Sequence, residues 1–169
     1  TDRLPHGAQG NQLRLRGLAV PSADDEAAMR GIDEEGHRSE DGLALFLDRA
    51  EDAGGSLEMD TYRARHAARL TRLSEGSPLA LELLGASASR AALDELVRRY
   101  EGCVEEARGG GTSRNRLGRA MRAALACAWD LLARSRQVSL AKLALFEGDF
   151  SETAALDVAG VTVAELRSL

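Results

Sequence analysis

Gly76-Ser77-Pro78 is the feature that most constrains how this chain can fold. Glycine readily takes the left-handed conformation that ends a helix. Serine is a preferred cap for the helix that follows, and proline fits a first helical position, where its missing N–H is not needed. The tripeptide therefore reads as one helix stopping and another starting at once. The next residues, Leu79-Ala80-Leu81-Glu82-Leu83-Leu84, are nearly all apolar, so the new helix should be buried on most sides.

The rest of the chain agrees with a mainly α fold. Of 169 residues, 29 are Ala and 26 are Leu, and only 3 are Pro. That bias favours helices packed through small and aliphatic side chains. Residues 41–53 carry Leu43, Phe46, Leu47 and Ala50 at helical spacing and stop at Gly54-Gly55. Asp60 can cap a helix containing Tyr62, Ala67, Leu70 and Leu73. Ser89 can cap one containing Leu93, Leu96, Val97 and Tyr100. Farther on, Leu117, Met121, Ala124, Leu125, Ala128 and Leu132 form one helical stripe. Leu140, Leu143, Leu145 and Phe146 mark another helix. Gly148-Asp149-Phe150-Ser151 turns the chain into a third, with Ala154, Ala155 and Val158. Thr162-Val163-Ala164-Glu165 has capping-box form and opens a last helix. One short strand is expected near the N-terminus, over 11–18, where Leu13 and Leu15 alternate with polar residues.

Charge is segregated. Residues 22–60 hold 13 Asp/Glu against 3 Arg, whereas 114–142 hold seven basic residues against Asp130. The acidic stretch reads as a solvated loop or frayed helix, since no calcium-loop spacing is present. The basic stretch could approach phosphates, but solvated helix faces explain it equally well. The net charge of −5 argues against a dedicated nucleic-acid binder. Arg outnumbers Lys 21 to 1, which reads as coding bias. Arg108-Gly109-Gly110-Gly111-Thr112-Ser113 is the clearest linker, and a domain boundary falls at 107–113.

Several chemistries have no motif here. The sequence contains no G-x-x-x-x-G-K-[ST], G-x-S-x-G, H-E-x-x-H or C-x-x-C run. His6, His37 and His66 are scattered without metal-ligand spacing, so no metal site is expected. Cys103 and Cys127 read as ordinary free thiols, and Trp129 as a core or boundary anchor. Two cysteines are too few for a disulfide framework, so a reduced, cytoplasmic compartment is the default. No run approaches the roughly 20 apolar residues that span a bilayer. The chain starts at Thr1 and ends at Leu169 inside a helical pattern, so it reads as cut from something longer.

Four blocks together carry a resemblance. Gly76-Ser77-Pro78-Leu79-Ala80-Leu81-Glu82-Leu83 resembles the "G-L-P-L-A-[IL]-E-L" motif of STAND-class, NB-ARC-like signal-transduction ATPases. These occur in bacterial LuxR- and SARP-type regulators and kinase or cyclase fusions. Arg119 to Leu125, Trp129 to Leu132, Leu143 to Phe150 and Ala154-Ala155 resemble the family's "R-S-L-R-A-A-L-x-W-S-x-x-L-L … L-x-x-L-S-V-F-x-G-G-F-x-x-x-A-A" segment. Thr1-Asp2-Arg3 is similar to the "T-S-R" ending the fourth NTPase strand. Leu13 to Leu18 and Pro21 are similar to the "L-x-L-x-x-L-x-x-P" that follows it. Ser77 stands where the family usually has Leu. Ser113 to Arg119 lacks the His and Ser of its "P-R-H-R-S-L-R".

The resemblance implies a division of the chain. Residues 1–21 would be the trailing edge of an αβα NTPase core, and 22–40 an acidic insertion. Residues 41–106 would form the helical lid bundle, and 114–169 a partial winged-helix subdomain. Pro78, presented by Gly76 and Ser77, would pack on the adenine of ATP or ADP, and Arg3 would sense the terminal phosphate. Walker A and Walker B residues, with the Mg they hold, would lie upstream, so this chain alone is not expected to hydrolyse ATP. Its partners would be the upstream NTPase core and downstream sensor repeats of one polypeptide, with possible oligomerisation when ATP is bound. The competing readings are a stand-alone helical protein-interaction module and a winged-helix DNA-binding segment using the basic 114–142 surface.

Overall fold

The computed structural model describes residues 16–24, 41–54, 60–109 and 116–168. Among these residues the chain is helical, with eight helices and no strand. The first five build one core. They are α1 (Asp41–Asp52), α2 (Thr61–Leu73), α3 (Pro78–Ala88), α4 (Leu93–Gly109) and α5 (Arg116–Asp130). Then come α6 (Arg134–Leu143), α7 (Glu152–Ala159) and α8 (Val163–Ser168), around a smaller apolar cluster.

Local chemistry sets most of the helix ends. Asp60 Oδ1 accepts from the Arg63 N–H at 2.7 Å and caps α2. Ser151 Oγ accepts from the Ala154 N–H at 3.1 Å and caps α7, which ends at the left-handed Gly160. The expected capping box is present ahead of α8. The Thr162 N–H donates to Glu165 Oε2 at 2.8 Å, and the Glu165 N–H donates back to Thr162 Oγ1 at 3.3 Å.

One expectation about a helix start needs correction. Ser89 does not cap α4. Its hydroxyl donates backward to the Ala86 carbonyl at 2.8 Å and finishes α3, and α4 begins at Leu93. A serine near a helix end can serve either helix, and here the nearer carbonyl wins. Of the strand expected over 11–18, residues 11–15 lie outside the described residues. Residues 16–18 are irregular, with the Leu18 N–H bonded to a turn rather than to a strand.

The main core is built where α3 crosses α1 and α5. Leu43, Phe46, Leu47 and Ala50 of α1 meet Ala80, Leu81 and Leu84 of α3. Gly85 lets the α1 and α3 backbones close up. A Cβ there would lie 2.5 Å from the Phe46 carbonyl oxygen and 2.8 Å from Arg49 Cβ. From the other side α5 presents Ala123, Ala124 and Cys127 to the same core, so that core continues on both sides of 110–115. Tyr100 of α4 is fully buried, and its hydroxyl donates to the Ala120 carbonyl of α5 at 3.1 Å.

The expected α5 stripe is partly overturned. Ala124 is buried as read, but Met121 and Leu125 are exposed, at 36% and 47%. The buried line is Ala120, Ala123, Ala124 and Cys127. Small side chains let α5 approach α3 and α4 closely, leaving the bulkier residues no room on that side. Trp129, 40% exposed, sits at the boundary rather than in the core. The expected helix through Leu145 and Phe146 stops at Leu143, and Leu145 is 73% exposed. Of the residues read for α7, Ala155 is buried, Ala154 half-buried and Val158 exposed.

Candidate functional site

The residues singled out for nucleotide contact stand at the start of α3. The helix α2 ends through a run of short-range bonds. Thr71 Oγ1 donates to the Ala67 carbonyl at 2.9 Å, and Ser74 Oγ donates to the Thr71 carbonyl at 2.6 Å. The Ser74 N–H donates to the Leu70 carbonyl at 3.0 Å. The chain then reverses at Glu75 and Gly76, both with positive φ, 53° and 72°. The Ser77 N–H donates to the Ser74 carbonyl at 3.0 Å and closes the turn.

Gly76 is required twice over at this point. Its φ lies in the left-handed region, and a Cβ would sit 2.2 Å from the Leu18 carbonyl oxygen. Leu18 is there because its N–H donates to the Gly76 carbonyl at 2.8 Å. Next along the segment, the Ala19 carbonyl accepts the Gly42 N–H at 2.9 Å. Pro21 is fully buried. The segment 17–21 is thus seated between the start of α1 and the α2–α3 turn. Two blocks far apart in sequence, Leu18 to Pro21 and Gly76 to Pro78, come together in space.

At the head of α3, Ser77 takes the cap position and is buried. Its backbone is extended, at φ −69° and ψ 114°, but its hydroxyl makes no capping bond. The sequence reading of Ser77 as a cap is therefore met in position and corrected in bonding. Pro78 occupies the first helical turn and is exposed, and beside it Leu79 is 43% exposed. The result is a small apolar face at the positive end of a helix whose first turn lacks a side-chain cap. Nearby, Glu75 pairs with Arg116 at the start of α5 at 3.6 Å. Arg3, the other predicted nucleotide contact, lies outside the described residues, as do the 25–40 part of the acidic segment and 110–113 of the linker.

Other titratable groups are placed by the same core. His66 packs edge-on against Tyr62, with ring centroids 4.4 Å apart, and neither ring nitrogen has a hydrogen-bond partner among the described residues. Burial holds the Tyr100 phenol well above the ordinary tyrosine range, with Cys127 next in effect. Burial likewise raises the Cys127 thiol to about 12, with Cys103 the next contributor. The Cys103 thiol is also raised, by burial first and then by the Asp130 and Glu106 carboxylates.

The closeness of Cys103 and Cys127 went unread in the sequence. The signal available was the pairing of their helices as neighbours across a short connection, which puts facing positions within reach. Among the described residues no group of three or more His, Cys, Asp or Glu is arranged to hold a metal ion, and no helix is long and apolar enough to cross a membrane.

Comparison with known protein families, with curated proteins and with solved structures finds no match.

Proposed function

We propose that this chain is a nucleotide-gated regulatory segment of a signalling ATPase, with α1–α4 as the lid over ATP or ADP. One observation carries the reading. The exposed ring of Pro78 and the adjoining Leu79 stand at an uncapped helix start, on a turn to which Leu18 is bonded. A rigid apolar face suits a purine ring, and free first-turn N–H groups suit the acceptors on its edge. The docking of Leu18 on Gly76 would couple the lid to whatever precedes residue 16. In this reading α5–α8 begin a winged-helix subdomain, and Arg3 reads the terminal phosphate.

The test uses the full polypeptide that carries this chain. Its reading frame should contain a G-x-x-x-x-G-K-[ST] loop upstream of residue 1. Pro78→Ala should weaken ATP or ADP binding roughly tenfold, as expected for loss of about 1–1.5 kcal/mol of apolar contact. An unchanged affinity, or a frame without that loop, would remove the reading.

A second reading, a helical protein-interaction module, rests on a different observation. Met121, Leu125 and Trp129 are exposed at four-residue spacing along one face of α5. Such a line of apolar anchors fits a groove or helix on a partner. It predicts that Leu125→Gln abolishes partner binding and leaves nucleotide affinity alone.

A further inference from the structure

Cys103 and Cys127 are the only cysteines of the chain. They lie on different helices, α4 and α5, which pack along their length. Cys127 is fully buried in the main core, and Cys103 packs against that core with part of its surface exposed. One turn before Cys103, the Tyr100 hydroxyl is bonded to the Ala120 carbonyl and holds α4 on α5. Cys103 packs against the cluster that contains Cys127, and each thiol bears on the ionisation of the other. Neither makes a contact that the proposed nucleotide site uses.

We propose that Cys103 and Cys127 are a modification site, a reversible intrachain disulfide that ties α4 to α5. The proposal is independent of the nucleotide reading. Cys103 is the entry point, because only it reaches solvent. Its thiolate sulfur attacks one oxygen of a peroxide. The O–O bond breaks, Cys103 becomes a sulfenic acid, and the other oxygen leaves as hydroxide and takes up the thiol's proton to form water. Cys127 Sγ then attacks the Cys103 sulfur. The S–S bond forms, the S–O bond breaks, and that oxygen leaves with the Cys127 proton as a second water. Two thiols and one peroxide give one disulfide and two waters. The same pair can exchange with glutathione disulfide.

The surroundings govern the rate. Burial and nearby carboxylates keep both groups largely as thiols at neutral pH, so oxidation is slow there and faster in alkali. The product closes a loop over the glycine-rich 109–111 run. It would fix the last turn of α5 against the body of α4 and restrict the unfolded chain.

The experiment equilibrates the whole chain with graded glutathione and glutathione disulfide, in native buffer and in urea. Acid quenching, alkylation and peptide mass mapping follow, and a parallel sample is treated with hydrogen peroxide. A Cys103–Cys127 linked peptide should appear in monomeric protein. Both alkylatable thiols should be lost together and restored by dithiothreitol. The native chain should hold its disulfide at a glutathione ratio roughly tenfold more reducing than in urea, because the folded helices present the sulfurs to each other. Linkage only between chains would overturn the proposal. So would sulfinic acid at Cys103 beside an alkylatable Cys127, or equal midpoints in buffer and urea.

Discussion

The Leu18 N–H donates to the Gly76 carbonyl at 2.8 Å, and the Leu18 carbonyl oxygen lies where a Gly76 Cβ would be. One contact therefore joins a segment before α1 to the turn between α2 and α3, and it tolerates no side chain at position 76. Gly76→Ala should cost about 2–4 kcal/mol, from left-handed strain plus displacement of Leu18. Gly54 also has a positive φ, 84°, but a Cβ there meets nothing within 4 Å. Gly54→Ala should therefore cost only about 1 kcal/mol. Urea unfolding of the two variants separates collision from strain. Equal losses would mean that the Leu18 contact contributes nothing.

The helix α5 supplies a second test. Leu125→Gln should change stability by less than about 0.5 kcal/mol, because the side chain is already half in water. Ala124→Leu should destabilise by about 1–3 kcal/mol or more, since it forces extra methylenes into the closest part of the core. A thermal melt of each variant checks the register. If Leu125→Gln proves the more damaging, the helix is rotated from the orientation described.

These two cases also explain what could be read in advance. Gly76-Ser77-Pro78 was legible because helix stops and starts are set by covalent geometry over a few residues. Asp60 and the Thr162–Glu165 box were legible for the same reason. The α5 stripe was misread because counting large apolar residues assumes that bulk turns inward. Which face turns inward depends on how closely α3 and α4 approach, and that distance belongs to the packed structure. Likewise the reach of Leu18 to Gly76 depends on a tertiary contact that no local pattern encodes. Of the candidate site, the α3 start was readable residue by residue, and its pairing with Leu18 was not.

Acid should loosen the start of α8 selectively. Glu165 is held below the usual carboxylate range, first by the backbone N–H of Thr162 and then by its hydroxyl. A depressed folded pKa gives stability that is present above the unfolded value of 4.5 and is lost as pH falls through the folded one. Hydrogen-exchange protection of the Thr162 amide should therefore decline with acid below about pH 4.5, while that of core amides such as Leu84 holds. Glu165→Gln should make the Thr162 protection independent of pH over that window.

Alkali should act elsewhere, at the α4–α5 contact. Tyr100 and Cys127 both have folded pKa values raised by burial, Cys127 from an ordinary 9.0 to about 12. For a raised pKa, the contribution is complete below the unfolded value and is lost as pH climbs toward the folded one. In the reduced protein, stability should therefore fall progressively from about pH 9 upward, because the unfolded chain ionises where the folded one resists. Cys127→Ala should flatten the lower part of that slope, and Tyr100→Phe the part above about pH 10, the ordinary tyrosine value. Tyr100→Phe should also cost about 1 kcal/mol at neutral pH, through the lost bond to the Ala120 carbonyl. Denaturant midpoints across pH 7–11 measure both effects. A Tyr100→Phe variant with the full alkaline slope would show that the phenol ionises as freely in the fold as in the unfolded chain.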